Sequence, residues 1–462
     1  MNKIRIAVIG LGWFGEKHCE ALSGIPHAEL YALCTRTESR LKALARTFGV
    51  RKTYTDYRAL LADSDVDAVS VVTMWDQHAA PTLAALKAGK HVFLEKPMAS
   101  TNADCERIVK AAKGVSTHFM VGHICRFNPR YAAAKEAIAA GKIGRIVSMY
   151  ARRNIPACVG QSVLPKIGPI IGDGVHDTDL MLWYSGAKVV SAYAQTVNVR
   201  KLKNPDLGWT MYRFDTGAIG VLEDTWFLPD TTAFQIDERM EIIGTEGSIH
   251  IHETHPNLSI CDATGWHSPD TTYWPSLHGV RAGALRDELS YFLQCVLEDR
   301  KPTVITPEES AAAVRACLAA EASAATGRSE VPAHTTSTLP TGWGSGPSTA
   351  VRPSGSTTTS GSSARSTREV ASSTRVARTA RLGWAFARVA MMWVVCSGAL
   401  PCANTTSGSP VRCARWVSTF AYPRSTSGSC MVVTLPADST ASPATIDGAR
   451  CARAHHPFAQ RG

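Results

Sequence analysis

A run of apolar residues, Ile4–Ile9, breaks into Gly10-Leu11-Gly12-Trp13-Phe14-Gly15 and passes directly into a stretch of good helix formers at 16–22. No other feature constrains the fold as strongly. Strand, Gly-x-Gly-x-x-Gly and helix in that order predict the first βαβ unit of a dinucleotide-binding domain. Gly10 allows the tight turn, Gly12 lets the backbone approach a pyrophosphate, and Gly15 lets the helix sit close to the strand. The pyrophosphate is expected at the helix N-terminus, where free N–H groups and the dipole favour an anion. Trp13 and Phe14, the two residues between Gly12 and Gly15, belong to the same expected cofactor set.

The next strand, 29–34, is expected to end beside the adenosine ribose. A carboxylate about twenty residues past the glycines would bind the 2′-hydroxyl of NAD. This chain has Thr35-Arg36 there, with Arg40 one helical turn on. A guanidinium can grip a 2′-phosphate through paired hydrogen bonds. A charged hydrogen bond is worth roughly 1.5–3 kcal/mol, so NADP is favoured over NAD. Helices follow at 39–48 and 57–62, the second with Asp56 as N-cap. A strand at 66–72 ends at Thr73-Met74-Trp75-Asp76-Gln77-His78, and a helix at 79–88 stops at Gly89. A strand at 91–94 then runs into Glu95-Lys96-Pro97. This alternation predicts a doubly wound parallel sheet. Ligands bind at the carboxyl ends of such strands, which places Thr73, His78, Glu95 and Lys96 in the cofactor set. Beyond it, β-rich runs at 145–153, 188–199, 210–214, 218–226, 239–243 and 248–252 predict a second, sheet-based region.

Charge divides the chain sharply. It carries 49 Lys+Arg against 39 Asp+Glu, and residues 331–462 hold 13 of the basic residues, all Arg, with only three acids. That leaves 36 of each sign in residues 1–330, so the basic excess says nothing about partners of the first part. The last stretch, rich in Ser, Thr, Ala, Gly, Pro and Arg, is expected to be disordered, or an out-of-frame translation appended to a complete enzyme. No nucleic-acid partner is expected. Thirteen cysteines stand singly, without zinc spacing, which suits a reducing, cytoplasmic setting and no metal. No signal peptide or membrane helix is expected.

The motifs together resemble the Gfo/Idh/MocA (glucose–fructose oxidoreductase / inositol dehydrogenase) family. The resemblance rests on the glycine loop, Thr73-x-x-x-x-His78, Ala88–Val92 leading into Glu95-Lys96-Pro97, and Arg126-Phe127-Asn128-Pro129. It continues through residues 174–180 and Gly244-Thr245-Glu246-Gly247-Ser248 to the helices at 285–297 and 307–327. It implies a Rossmann domain over 1–122, an α+β substrate and oligomerisation domain with a mainly antiparallel open sheet over 123–332, and a tail from 333. It also implies an NAD(P)-dependent oxidoreductase of a sugar, sugar derivative or cyclitol, assembled as a homodimer or homotetramer. Oxidising an alcohol needs a base for the hydroxyl proton. The resemblance makes His176 that acid/base and Lys96 the group that holds the substrate oxygen, with Pro97 fixing the turn. The family has an aspartate four residues before the histidine. Here that position is Gly172, and Asp173 is the candidate to replace it. Arg126 and Asp177 complete the candidate substrate set, with His123, Arg152 and Arg153 as further pocket residues. A non-catalytic, dinucleotide-binding sensor or partner-binding protein of the same fold is the alternative.

Overall fold

The computed structural model describes residues 3–252 and 258–333; the tail, from residue 334 on, lies outside them. The first half alternates strictly. β1 (Ile4–Ile9) is followed by α1 (Trp13–Ser23), β2 (Ala28–Cys34), α2 (Glu38–Phe48), β3 (Lys52–Tyr54), α3 (Tyr57–Leu61) and β4 (Ala68–Val71). Then come α4 (Ala79–Lys87), β5 (His91–Glu95), α5 (Asn102–Lys113) and β6 (Phe119–Gly122). The six strands run parallel in the order β3-β2-β1-β4-β5-β6. The order reverses between β1 and β4, which opens a crevice at their carboxyl ends. β4 is buried at every position, as expected of a strand covered on both faces. Asp56 caps α3 by accepting from Arg58 N–H. β3, a three-residue edge strand with two exposed positions, is too short and too polar to show a strand period in sequence.

The second half begins with α6 (Pro129–Ala139), β7 (Ile146–Pro156), α7 (Ala157–Val163), α8 (Pro169–Gly172) and α9 (Gly174–Ser185). It continues with β8 (Val189–Val197), β9 (Leu207–Phe214), β10 (Ile219–Leu228), β11 (Asp237–Gly244) and β12 (Ser248–His252). These strands form one sheet in the order β12-β11-β7-β10-β9-β8. Every pair is antiparallel except β7 with β10. β9 alternates buried and exposed residues along its length, so one face packs and the other stays open. Two short hairpins, β13–β14 (260–267) and β15–β16 (276–281), precede α10 (Ala284–Leu297) and α11 (Pro307–Thr326). α11 opens on a capping box between Thr306 and Glu309. It packs on α9, β8 and α5, while α10 packs on α1 and β5. The end of the second half thus fastens itself to the first, and the β5–α9 junction lies between them.

Candidate functional site

The glycine loop has the shape its sequence requires. Gly10 has φ +100, and a Cβ there would stand 2.5 Å from Val72 O. A Cβ on Gly15 would stand 2.0 Å from Gly10 O, whereas one on Gly12 would meet nothing within 4 Å. Two glycines therefore let the backbone fold back on itself, and the third leaves an open approach. A cleft of about 770 Å³ runs past this loop, lined by Gly10, Leu11, Gly12, Thr35, Arg36, Thr73, Met74, Asp76 and Gln77. The size is that of a small-molecule site, and these features fit a dinucleotide. The cleft has a wall that sequence reasoning missed: Thr55, Asp56, Tyr57 and Arg58, from the end of β3 into the first turn of α3. The missing signal is β3 itself, which carries these residues to the mouth.

The candidate cofactor residues divide. Arg36 is exposed and donates to Gln77 Oε1 across the mouth at 3.3 Å. Arg40 is instead tied over the loop, to Glu16 Oε2 at 2.5 Å and Leu11 O at 3.1 Å, so it braces α1 and α2. Trp13 is 61% exposed and meets Trp274 edge-on, as does Phe14. Thr73 O and Pro97 O both lie within hydrogen-bond reach of the buried His78 ring, at 3.0 and 2.8 Å. His78 is thus a strut between the β4 loop and the Lys96–Pro97 turn. Burial holds its imidazole below the ordinary pKa. Glu95 is buried as well; it accepts from Lys96 N–H and meets His18 Nε2 at 3.1 Å.

Lys96 directly follows β5 and crosses to the start of α9. Its Nζ donates to Gly172 O at 2.9 Å and lies 3.5 Å from Asp173 Oδ1. The Lys96–Pro97 bond is cis. His176 follows one turn on, buried, with Nδ1 lacking a hydrogen-bond partner among the described residues. Burial, then the positive charges of Lys96 and Arg153, hold its imidazole well below its ordinary pKa. A neutral imidazole beside a cationic lysine and a carboxylate can accept a proton and pass it on. The departure at Gly172 has a steric cause. A Cβ there would stand 2.5 Å from the Trp226 indole, so the ring fills the space a side chain would need. Trp226 comes from β10, far away in sequence, and no local pattern announces it.

Two candidate substrate residues are not brought to the opening. Arg126, 2% exposed, is bound bidentately by Asp179 at 2.8 and 2.7 Å, with Val304 O and Glu309 completing its shell. Asp177, fully buried, is held by Arg153 at 2.7 Å. Arg153 also pairs with Glu238 at 2.6 Å, and Tyr131 and Tyr273 donate to the same carboxylate. This is an internal lattice under the site. Arg152 points to the opposite face and pairs with Asp237. His123 is buried, 3.6 Å from Asp179. Charge and position in sequence suggested substrate contacts for these residues; Arg126, Asp177, Arg152 and Arg153 are instead engaged by ion-pair partners distant in the chain, while neither ring nitrogen of His123 has a hydrogen-bond partner among the described residues.

Both halves of the chain match known proteins. Residues 4–123 match an oxidoreductase family with an NAD-binding Rossmann fold, and residues 131–250 match the GFO/IDH/MocA C-terminal domain. Myo-inositol 2-dehydrogenase of Thermotoga maritima is 30% identical over 310 residues, covering 65% of this chain and 90% of that one. The scyllo-inositol 2-dehydrogenase (NAD(+)) of Bacillus subtilis is 30% identical over 311 residues, covering 66% and 89%. Among solved structures, a probable dehydrogenase from Thermotoga maritima superposes with a TM-score of 0.60 at 27% identity, covering 71% of this chain and 98% of that one. The fold is also that of a Lactobacillus casei scyllo-inositol dehydrogenase solved with NAD(H) and scyllo-inositol: TM-score 0.62, 22% identity, covering 71% and 99%. By sequence, by fold and by the chemistry of its cleft, the chain belongs to the Gfo/Idh/MocA family of NAD-binding oxidoreductases and is a dehydrogenase acting on CH–OH groups.

Proposed function

We propose that the protein moves a hydride between a ring carbon of a cyclitol or related sugar and NADP, with Lys96, Asp173 and His176 handling the hydroxyl proton. The observation that carries this reading is the reach of Lys96 Nζ to Gly172 O and Asp173 Oδ1, with His176 one turn on and its Nδ1 lacking a hydrogen-bond partner among the described residues. Residues 1–122 would hold the cofactor and 123–332 the substrate. The nicotinamide ring, when bound, supplies the hydride acceptor or donor. The side chains do the rest. Lys96 hydrogen-bonds the substrate oxygen, and Asp173 keeps the ammonium turned toward it. His176 takes the proton in oxidation and returns it in reduction. Arg36, with Thr35, favours the 2′-phosphate; Asp56, on the facing wall, is the feature that would favour NAD instead.

The relatives' names support a cyclitol, and the polar junction supports a polyol in general. The open face of the second sheet exposes Tyr193, Trp209, Met211 and Ile219, which supports assembly into a homodimer or homotetramer. Among the described residues no helix is long and apolar enough to cross a membrane. All eight cysteines there are free, in keeping with the cytoplasm. The test is turnover on a panel of inositols and aldoses with NADP and NAD. His176→Asn is expected to lower kcat roughly 10²- to 10⁴-fold, the usual contribution of a general acid/base. Its cofactor affinity should hold within about twofold, below 0.5 kcal/mol. Unchanged kcat in that variant would remove His176 from the mechanism.

A further inference from the structure

Beside Lys96, around Glu95 at the end of β5, lies a second polar cluster that the mechanism above does not use. Glu288, on α10, is fully buried, and neither carboxylate oxygen has a hydrogen-bond partner among the described residues. Its neighbour is fixed by packing. Glu288 and Phe292 are one turn apart and share a face of α10, while Phe93 and Glu95 share a face of β5. Phe93 and Phe292 meet edge-on, with ring centroids 5.8 Å apart. The two glutamates are therefore presented side by side. His18 lies edge-on to Phe93 and to Phe14, so aromatic rings wall the cluster from water. Nothing larger than glycine fits at 122, where a Cβ would stand 2.8 Å from Glu95 Oε1.

We propose that Glu288 is a positioning residue: it holds a proton and donates it to Glu95, so that the two buried acids carry one negative charge between them. Two carboxylates cannot both ionise side by side in a dry site. Of the two, Glu95 has the donors that suit an anion. Lys96 N–H donates to one oxygen at 3.2 Å, and His18 Nε2 meets the other at 3.1 Å. His18 Nδ1 meets Ser70 Oγ at 2.9 Å. One tautomer satisfies the whole chain: Ser70 O–H donates to Nδ1, and Nε2–H donates to Glu95. Glu288 has no such donors. Burial and the charge of Glu95 push its carboxyl well above the ordinary range, in agreement with the packing. The groups that act on Glu95 are His18 from α1, Lys96 beside it, and His78 and His123 from the flanking loops.

The consequence is mechanical. α1, whose N-terminus forms the pyrophosphate cradle, and β5, whose end carries Lys96, are joined through His18–Glu95. Protonated Glu288 closes the joint from α10. Ionising it would set a second charge against Glu95 and loosen both the glycine helix and the lysine turn. This coupling rests on the cofactor reading above; the shared proton does not. The test compares infrared spectra of the full chain and Glu288→Gln at pH 7.5, with nicotinamide fluorescence titrations of NADPH and NADH from pH 6 to 10. The wild type is expected to show the carbonyl stretch of a protonated carboxylic acid, reduced in Glu288→Gln. Asp224→Asn serves as the control for another buried acid. Wild-type cofactor affinity should fall about tenfold per pH unit beyond the pair's upper pKa, and Glu288→Gln should lack that fall. If Glu288→Gln fails to fold, Glu288→Met removes the carboxyl without needing a hydrogen bond and takes its place. An unchanged acid band would overturn the shared proton. A normal band change with no affinity difference would overturn the coupling. Failure of wild type to bind either cofactor at any pH would instead overturn the functional reading and leave the band result standing.

Discussion

Asp173 sits one residue out of step with the family pattern, and yet its carboxylate comes to 3.5 Å from Lys96 Nζ. The shift is absorbed because the residue begins α9 rather than lying inside it: its backbone has φ −118 and it is flanked by Gly172 and Gly174. Gly174 is as constrained as Gly172, since a Cβ there would stand 2.5 Å from Asp224 Oδ2. Asp173→Asn should keep the fold and cofactor affinity while lowering kcat/KM about tenfold or more, the effect of a lost charged hydrogen bond of roughly 1.5–3 kcal/mol. Steady-state kinetics on the best polyol checks this. The pH profile carries a second check at the same scale. His176 titrates well below its ordinary value because it is buried beside Lys96 and Arg153. The acid limb of kcat/KM is therefore expected below pH 6.5, and a limb at or above it would contradict the assignment. At the adenosine end, Arg36→Ala should weaken NADPH about ten- to a hundred-fold, with NADH nearly unchanged. Arg58, whose guanidinium lies 5.0 Å over the Tyr57 ring, lines the same cleft, and Arg58→Ala should shift the preference in the same direction by less.

Elements show how legible the chain is. Strand β1, the glycine loop and α1 announce themselves because each position has a local reason. Gly15→Ala makes the point: its Cβ would collide with Gly10 O, so the loop must open. Cofactor affinity should fall more than about tenfold, 1.4 kcal/mol, by fluorescence titration. The strands of the second sheet read correctly because β-branched and aromatic residues alternate with polar ones. β3 escapes because three residues show no period. His18 could have been found: with Phe14 and Leu22 it lies on the i, i+4, i+8 stripe of α1, the face that packs inward. Arg126 and Asp177 misled for the opposite reason. Charged residues beside a site motif read as ligands, and only tertiary structure reveals that Asp179 and Arg153 hold them. Local rules find elements and loops; partners tens to hundreds of residues away decide which polar groups remain available.

At the scale of the whole molecule, α10 and α11 return from the second half to pack on α1, β5 and α5, so the junction is built from both halves. Its buried acids give it a pH signature. Glu288 titrates far above a free glutamate, so the unfolded chain releases that proton first as pH rises. Its contribution to stability is therefore full below the unfolded pKa and declines as pH climbs toward the folded one. Glu288→Gln lacks this decline. Its Tm should exceed that of the wild type at pH 8, with the gap closing toward pH 5, as read by calorimetry.

The most direct measurement pairs a polyol turnover screen with cofactor titration, on wild type and His176→Asn. The account predicts NADPH binding by both proteins and turnover of at least one cyclitol or sugar by the wild type alone. Binding of neither cofactor, or equal turnover by the two proteins, would contradict it.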